Sequence, residues 1–215
     1  MKTKILLSVA LFFITLATHA QINKGEVLLG GSIRYSDSKN IQVANSKYES
    51  LYTNVQIGKV LKENSVAGII LSYDYSKGYS PYTRINEYGA GVFYRKYKSL
   101  LKNIYLFGEG DAEYFYSKNI SGYFVSGQDG QRYITQSISI NFTPGIAYSV
   151  CKKIQMELLM QNLLTISYAH TNSDYTSSTA PSLPTIKGNN FQVNANLNSN
   201  LLYNFGIGFK FLLGK

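Results

Sequence analysis

From residue 26 onward, apolar and polar positions alternate with a period of two, the repeat of a strand whose two faces meet different surroundings. The clearest stretch is 135–149. One face carries Gln136, Ile138, Ile140, Phe142, Pro144, Ile146 and Tyr148, and the other Thr135, Ser137, Ser139, Asn141, Thr143, Gly145, Ala147 and Ser149. The closing segment repeats the pattern. There Leu197, Leu201, Tyr203, Phe205, Ile207, Phe209 and Phe211 oppose Asn198, Asn200, Asn204, Gly206, Gly208 and Lys210. The same reading fits residues 26–36, 51–61, 66–76, 87–97, 104–116 and 154–168, so eight strands are predicted.

The connections alternate in length. Residues 61–65, 98–103 and 150–153 are short turns, whereas 37–50, 77–86, 117–132 and 169–190 are longer and rich in Ser, Asn, Gly, Tyr and Thr. Short turns at one end and long loops at the other are the habit of outer-membrane barrels, and an even strand count returns both termini to the turn end. No domain boundary, fixed-period repeat or low-complexity tract interrupts the series.

Alternation alone does not say which face points outward, because a soluble barrel alternates too. Volume decides it. An eight-stranded barrel is just wide enough for side chains to fill, so the bulky face is expected outside and the Gly, Ser, Thr, Ala and Asn face inside. That second face is also too poor in charge to coat a soluble protein. The expected fold class is therefore all-β, an eight-stranded antiparallel up-and-down transmembrane β-barrel.

Composition sharpens this picture. The chain has 19 Tyr and 11 Phe beside no Trp, a usage that favours strands. The tyrosines Tyr35, Tyr73, Tyr75, Tyr88, Tyr114, Tyr116 and Tyr168 fall at loop-side strand ends. Tyr94, Tyr148, Phe209 and Phe211 fall near turn-side ends, as two aromatic girdles flanking an aliphatic band would require. The first twenty residues read as a cleaved signal peptide: Lys2 and Lys4, an apolar run over 5–16, and Thr18-His19-Ala20 as the cleavage site. The apolar run is short of the roughly 20 residues a membrane-spanning helix needs. The expected domains are the signal at 1–20 and the barrel at 21–215.

Charge excludes more than it identifies. The formal charge of +9 includes Lys2 and Lys4, so cleavage leaves +7, on lysines dispersed among turns and loops. With no aromatic-basic stripe, nucleic acid is not an expected partner; anionic lipid headgroups fit better. The single cysteine, Cys151, forms no intrachain disulfide.

Phe107-Gly108-Glu109-Gly110-Asp111-Ala112-Glu113, Thr143-Pro144-Gly145-Ile146-Ala147-Tyr148 and Asn204-Phe205-Gly206-Ile207-Gly208-Phe209-Lys210-Phe211 carry a family likeness. Over residues 25–211 the chain resembles small outer-membrane β-barrel proteins of the OmpA and OmpX type, often labelled porin-like. The resemblance implies a Gram-negative outer membrane and, as partners, its lipid and lipopolysaccharide, the barrel assembly machinery and an extracellular ligand met through the loops. Many such barrels end on an aromatic residue; here Leu212-Leu213-Gly214-Lys215 follows Phe211.

The inward face places a lumen charge network at Arg34, Asp74, Arg95, Glu109, Asp111, Glu113, Glu157 and Lys210, with Glu87 beside it. Buried charges are tolerable only when paired. Two ion-pair layers plugging the lumen are expected, Arg95, Glu157 and Lys210 toward the turns and Arg34, Asp74, Asp111 and Glu113 toward the loops. The rival is an acidic ion path through Glu109, Asp111 and Glu113. A lipid hydrolase would need a nucleophile, base and orienter in mutual reach. The mature chain offers one histidine, His170, near Ser167, Ser173 and Asp174. No catalytic residue, cofactor or metal is expected. The functional expectation is a non-enzymatic, structural outer-membrane barrel with recognition loops; a narrow pore and a loop-based lipid hydrolase are the alternatives.

Overall fold

The computed structural model describes residues 22–39, 47–78, 83–122, 130–176, 185–195 and 205–214; the proposed signal peptide and Leu197–Asn204 of the last predicted strand lie outside them. The described residues contain no helix and ten strand segments. They are β1 (Val27–Lys39), β2 (Lys47–Lys62), β3 (Ser65–Lys77), β4 (Arg84–Leu101) and β5 (Ile104–Gly122), then β6 (Gly130–Cys151), β7 (Ile154–Met160), β8 (Leu164–Thr176), β9 (Ile186–Ala195) and β10 (Phe205–Leu213). Every pairing is antiparallel. Around the wall the order is β1-β2-β3-β4-β5-β6-β7-β10, and β10 closes on β1 from Val27↔Leu213 to Ser32↔Gly208. This is a closed eight-stranded antiparallel β-barrel.

Ten segments make an eight-stranded ring because β8 and β9 lie outside the closing order; the predicted seventh strand is interrupted into β7 and β8. β6 spans 22 residues; its turn-side half pairs with β7 and its loop-side half with β8. Between β7 and β8, Asn162 takes a left-handed backbone (φ 49°), which Asn tolerates better than most residues. Its N–H donates to Thr143 Oγ1 at 3.1 Å, tying the break to the wall. β9 pairs with β8 alone among the described residues, and all ten of its residues are exposed. The hairpin β8–β9 thus continues the wall from the loop-side half of β6, outside the closing order.

The strands run further toward the loops than the apolar pattern predicts. β5 extends to Gly122 and β6 begins at Gly130, while β8 and β9 occupy much of the stretch expected as one loop over 169–190. The ladder needs backbone donors and acceptors, not greasy side chains, so polar residues continue it. At the other end the turns are tight. Lys62 and Ser65, Leu101 and Ile104, and Cys151 and Ile154 pair across two-residue turns, with Asn64 left-handed (φ 59°) in the first.

The outer wall is apolar. Ile33 is 66% exposed, Val92 59%, and Ile138, Ile140 and Ile207 57% each. The interior departs from the small-residue filling expected of it. Its turn-side end is packed with Leu28, Val60, Val66, Phe93, Tyr97, Tyr105, Phe107 and Leu212, all buried. Ile22 is buried with this cluster, and its carbonyl accepts from the Asn64 N–H at 3.3 Å. Gly58 makes room for the floor: a Cβ there would lie 2.8 Å from both the Phe93 ring and Val66.

Candidate functional site: the barrel lumen

Directly above that apolar floor, five polar side chains from five strands converge: Gln56 from β2, Arg95 from β4, Glu109 from β5, Glu157 from β7 and Lys210 from β10. Register brings them there, since each lies on the inward parity of its strand. Arg95 Nε donates to Glu109 Oε2 at 2.7 Å, and Arg95 Nη1 donates to Glu157 Oε1. Nη1 also reaches the Tyr97 hydroxyl at 3.1 Å. Gln56 Nε2 donates to Glu109 Oε1 at 2.8 Å, while its Oε1 accepts from Lys210 Nζ. Lys210 Nζ lies 4.0 Å from Glu157 Oε2. Arg95 is 1% exposed, and its guanidinium stacks over the Phe107 ring at 4.2 Å, joining the ionic layer to the floor. Two cations and two carboxylates are balanced here, which is the condition for keeping charge out of water.

The loop-side charges are arranged differently. Asp74, Glu87, Asp111 and Glu113 line an open cavity of about 230 Å³ with Arg34, Tyr52, Asn54 and Phe115. Register sets one inward row across the wall, Arg34↔Tyr52↔Asp74↔Glu87↔Ser117. No second ion-pair layer forms among the described residues. Neutral donors hold the carboxylates instead: Ser72 Oγ to Glu113 at 2.6 Å, Asn141 Nδ2 to Asp111 at 2.7 Å and Ser76 Oγ to Asp74 at 3.1 Å. Arg34 is exposed at the cavity mouth and stacks on Tyr52 at 5.4 Å. The lumen is thus a polar cup, acidic on balance, resting on a paired ionic layer and an apolar base.

The predicted aromatic residues all lie on the outer wall. Tyr35, Tyr88, Tyr94, Tyr114, Tyr116, Tyr168, Phe209 and Phe211 are exposed; Tyr73, Tyr75 and Tyr148 are half-buried. Tyr73 and Tyr88 are cross-strand partners with ring centroids 5.2 Å apart.

His170 is also on the outer face of β8, bonded to Asn189 Oδ1 at 2.7 Å. Strand parity turns Ser167 and Ser173 inward and leaves Asp174 on the histidine's side, so the backbone separates both serines from the imidazole. Among the described residues no group of three His, Cys, Asp or Glu has the arrangement of a metal site.

The residues that pattern-reading missed are the floor aromatics Phe93, Tyr97, Tyr105 and Phe107. A signal was present. Extending the inward parity of Glu113, Asp111 and Glu109 two steps back along β5 lands on Phe107 and Tyr105.

The chain is thus a closed antiparallel barrel with an ion-paired plug. No protein-family model matches it, and no curated protein matches it either.

Proposed function

We propose that this protein is a non-enzymatic integral barrel of a Gram-negative outer membrane, exported by a signal peptide at 1–20, with a structural role in the envelope and loops that meet an extracellular ligand. The observation that carries this reading is the inverted distribution of polarity. Arg95, Glu157 and Lys210 are 1–2% exposed inside, while Ile33, Ile138, Ile140, Ile166 and Ile207 face out around the wall. A soluble monomer rarely exposes a contiguous apolar patch beyond a few hundred Å², and a closed barrel satisfies its backbone without water. The wall aromatics suit interfacial girdles, and a closed eight-stranded barrel is compatible with the OmpA/OmpX-type likeness of the sequence. Lipid, lipopolysaccharide and the barrel assembly machinery are its proposed partners. The inward split of the serines from His170 argues against a seryl hydrolase.

The plug favours a sealed barrel over a porin-like pore, because the floor and ionic layer fill the lumen beneath the cup. Detergent-folded protein should migrate differently on gels before and after boiling, and should give no single-channel steps in a planar bilayer. Identical migration would remove the barrel reading; steady conductance would replace the plug by a pore.

A further inference from the structure

The two ends of the barrel differ in charge. At the turn end, Lys59 on β2 and Lys96 and Lys98 on β4 stand exposed on the outer wall, and the turn tips add Lys62, Lys102, Lys152 and Lys153. The described carboxylates at this end are few. Glu63 is exposed, and Glu26 is half-buried and accepts from Asn23. The loop end instead mixes signs, Lys77, Arg84, Lys118 and Arg132 with Asp37, Glu49 and Asp174.

The wall lysines also form a particular arrangement. Lys59 is the cross-strand partner of Ala67, and Ala67 of Tyr94; Lys96 is the partner of Ser65, two residues along β3. Lys59 and Lys96 therefore lie on either side of β3 at Ala67, its smallest outward side chain, while Ser65 is buried at 2%. They are separated by one strand and offset by two residues, a Cα span of about 12 Å that two four-carbon stems can narrow. Directly above, toward the loops, the same face continues as Ile57, Ile69 and Val92, each 45–59% exposed. A pair of ammonium groups beneath an aliphatic strip is complementary to a phosphate carrying acyl chains.

Resting on the proposed membrane setting, we infer that the β2–β3–β4 face is a binding site for an anionic glycerophospholipid of the turn-side leaflet. Lys59 and Lys96 converge on its phosphate, Lys98 reinforces the field, and the chains lie along Ile57, Ile69 and Val92. Basic residues close to an anionic surface gain about fivefold in affinity each, so two imperfectly converging lysines give a preference of roughly tenfold at low salt.

The test uses the full barrel reconstituted in phosphatidylcholine bilayers holding a trace of spin-labelled lipid, comparing phosphatidylglycerol with phosphatidylcholine labels. The protein should retain phosphatidylglycerol preferentially in the motionally restricted shell. K59Q/K96Q/K98Q should bring the preference close to one, whereas K77Q/K118Q leaves it intact. Molar salt should weaken the wild-type preference without any mutation, as expected of partly screened contacts. Inorganic phosphate at matched ionic strength should not displace the labelled lipid, because it lacks chains to lie on the strip; displacement would overturn the lipid assignment. A restricted shell that shows equal preference for both labels in the wild type, or a preference unchanged in the triple variant, would overturn the site alone. No restricted shell for either label would mean that the barrel is not in the bilayer, and the functional reading would fall with the site.

Discussion

The turn-side and loop-side halves of the lumen are built from the same strands at the same inward parity, yet they solve the problem of buried charge in opposite ways. In the turn half, Arg95 and Lys210 meet Glu109 and Glu157 over an apolar floor, all nearly inaccessible. In the loop half, the carboxylates of Asp74, Asp111 and Glu113 are met by hydroxyl and amide donors beside open space. The difference lies in the partners rather than in exposure, since Glu113 at 4% and Asp111 at 7% are about as buried as Glu109 at 4%. A buried carboxylate must be paired or hydrogen-bonded; the turn half meets that need with cations, the loop half with neutral donors around a cavity. The turn end of the lumen is the proposed seal and the loop end an open receptacle.

The largest effect should come from unbalancing the seal. Arg95→Met leaves Lys210 as the one cation facing Glu109 and Glu157, and Glu157→Met leaves Glu109 as the one carboxylate facing Arg95 and Lys210, so each buried charge count is unbalanced at about 3–5 kcal/mol. The double mutant should lose less than the sum of the two in a urea unfolding titration in lipid vesicles. Strict additivity would show that the two residues do not share a network.

A smaller effect is expected from the wall. Ile140→Arg places a charge on the proposed lipid face near mid-depth and should cost about 2–4 kcal/mol. Ser139→Arg, one residue away but turned into the cup, should cost clearly less. Equal losses in the same titration would erase the distinction between inside and outside.

The smallest belongs to the receptacle. Glu113→Gln keeps a group able to accept from Ser72 and removes only charge, so stability should change by about 1 kcal/mol or less. A loss matching that of Glu157→Met would mean that the cup is as tightly coupled as the seal.

Face assignment was legible in the sequence because a period of two is robust to errors at strand ends. The inward placement of Arg95, Glu109, Glu157 and Lys210 follows from it directly. The floor was harder to read, because in Tyr105-Leu106-Phe107 both parities are apolar and only the inward parity carried back from Glu109 marks Tyr105 and Phe107. Expecting two ion-pair layers overlooked Ser72 and Asn141, since polar neutrality on the inward face reads as filling rather than as a partner. Strand ends were underestimated where paired polar residues such as Ser117, Lys118 and Asn119 continue the β4–β5 ladder. The break at Asn162 depends on local backbone and on pairing with different halves of β6, which periodicity does not encode.

The central claim is that apolar positions face lipid while their neighbours face a closed lumen. It is tested most directly by placing single spin-labelled cysteines at positions 138–143, in a Cys151→Ser background, in bilayer-reconstituted protein. Exposure to lipid-soluble oxygen should peak at 138, 140 and 142 and fall at 139, 141 and 143. Loss of that alternation, or higher exposure to a water-soluble relaxant at the even positions, would contradict the account.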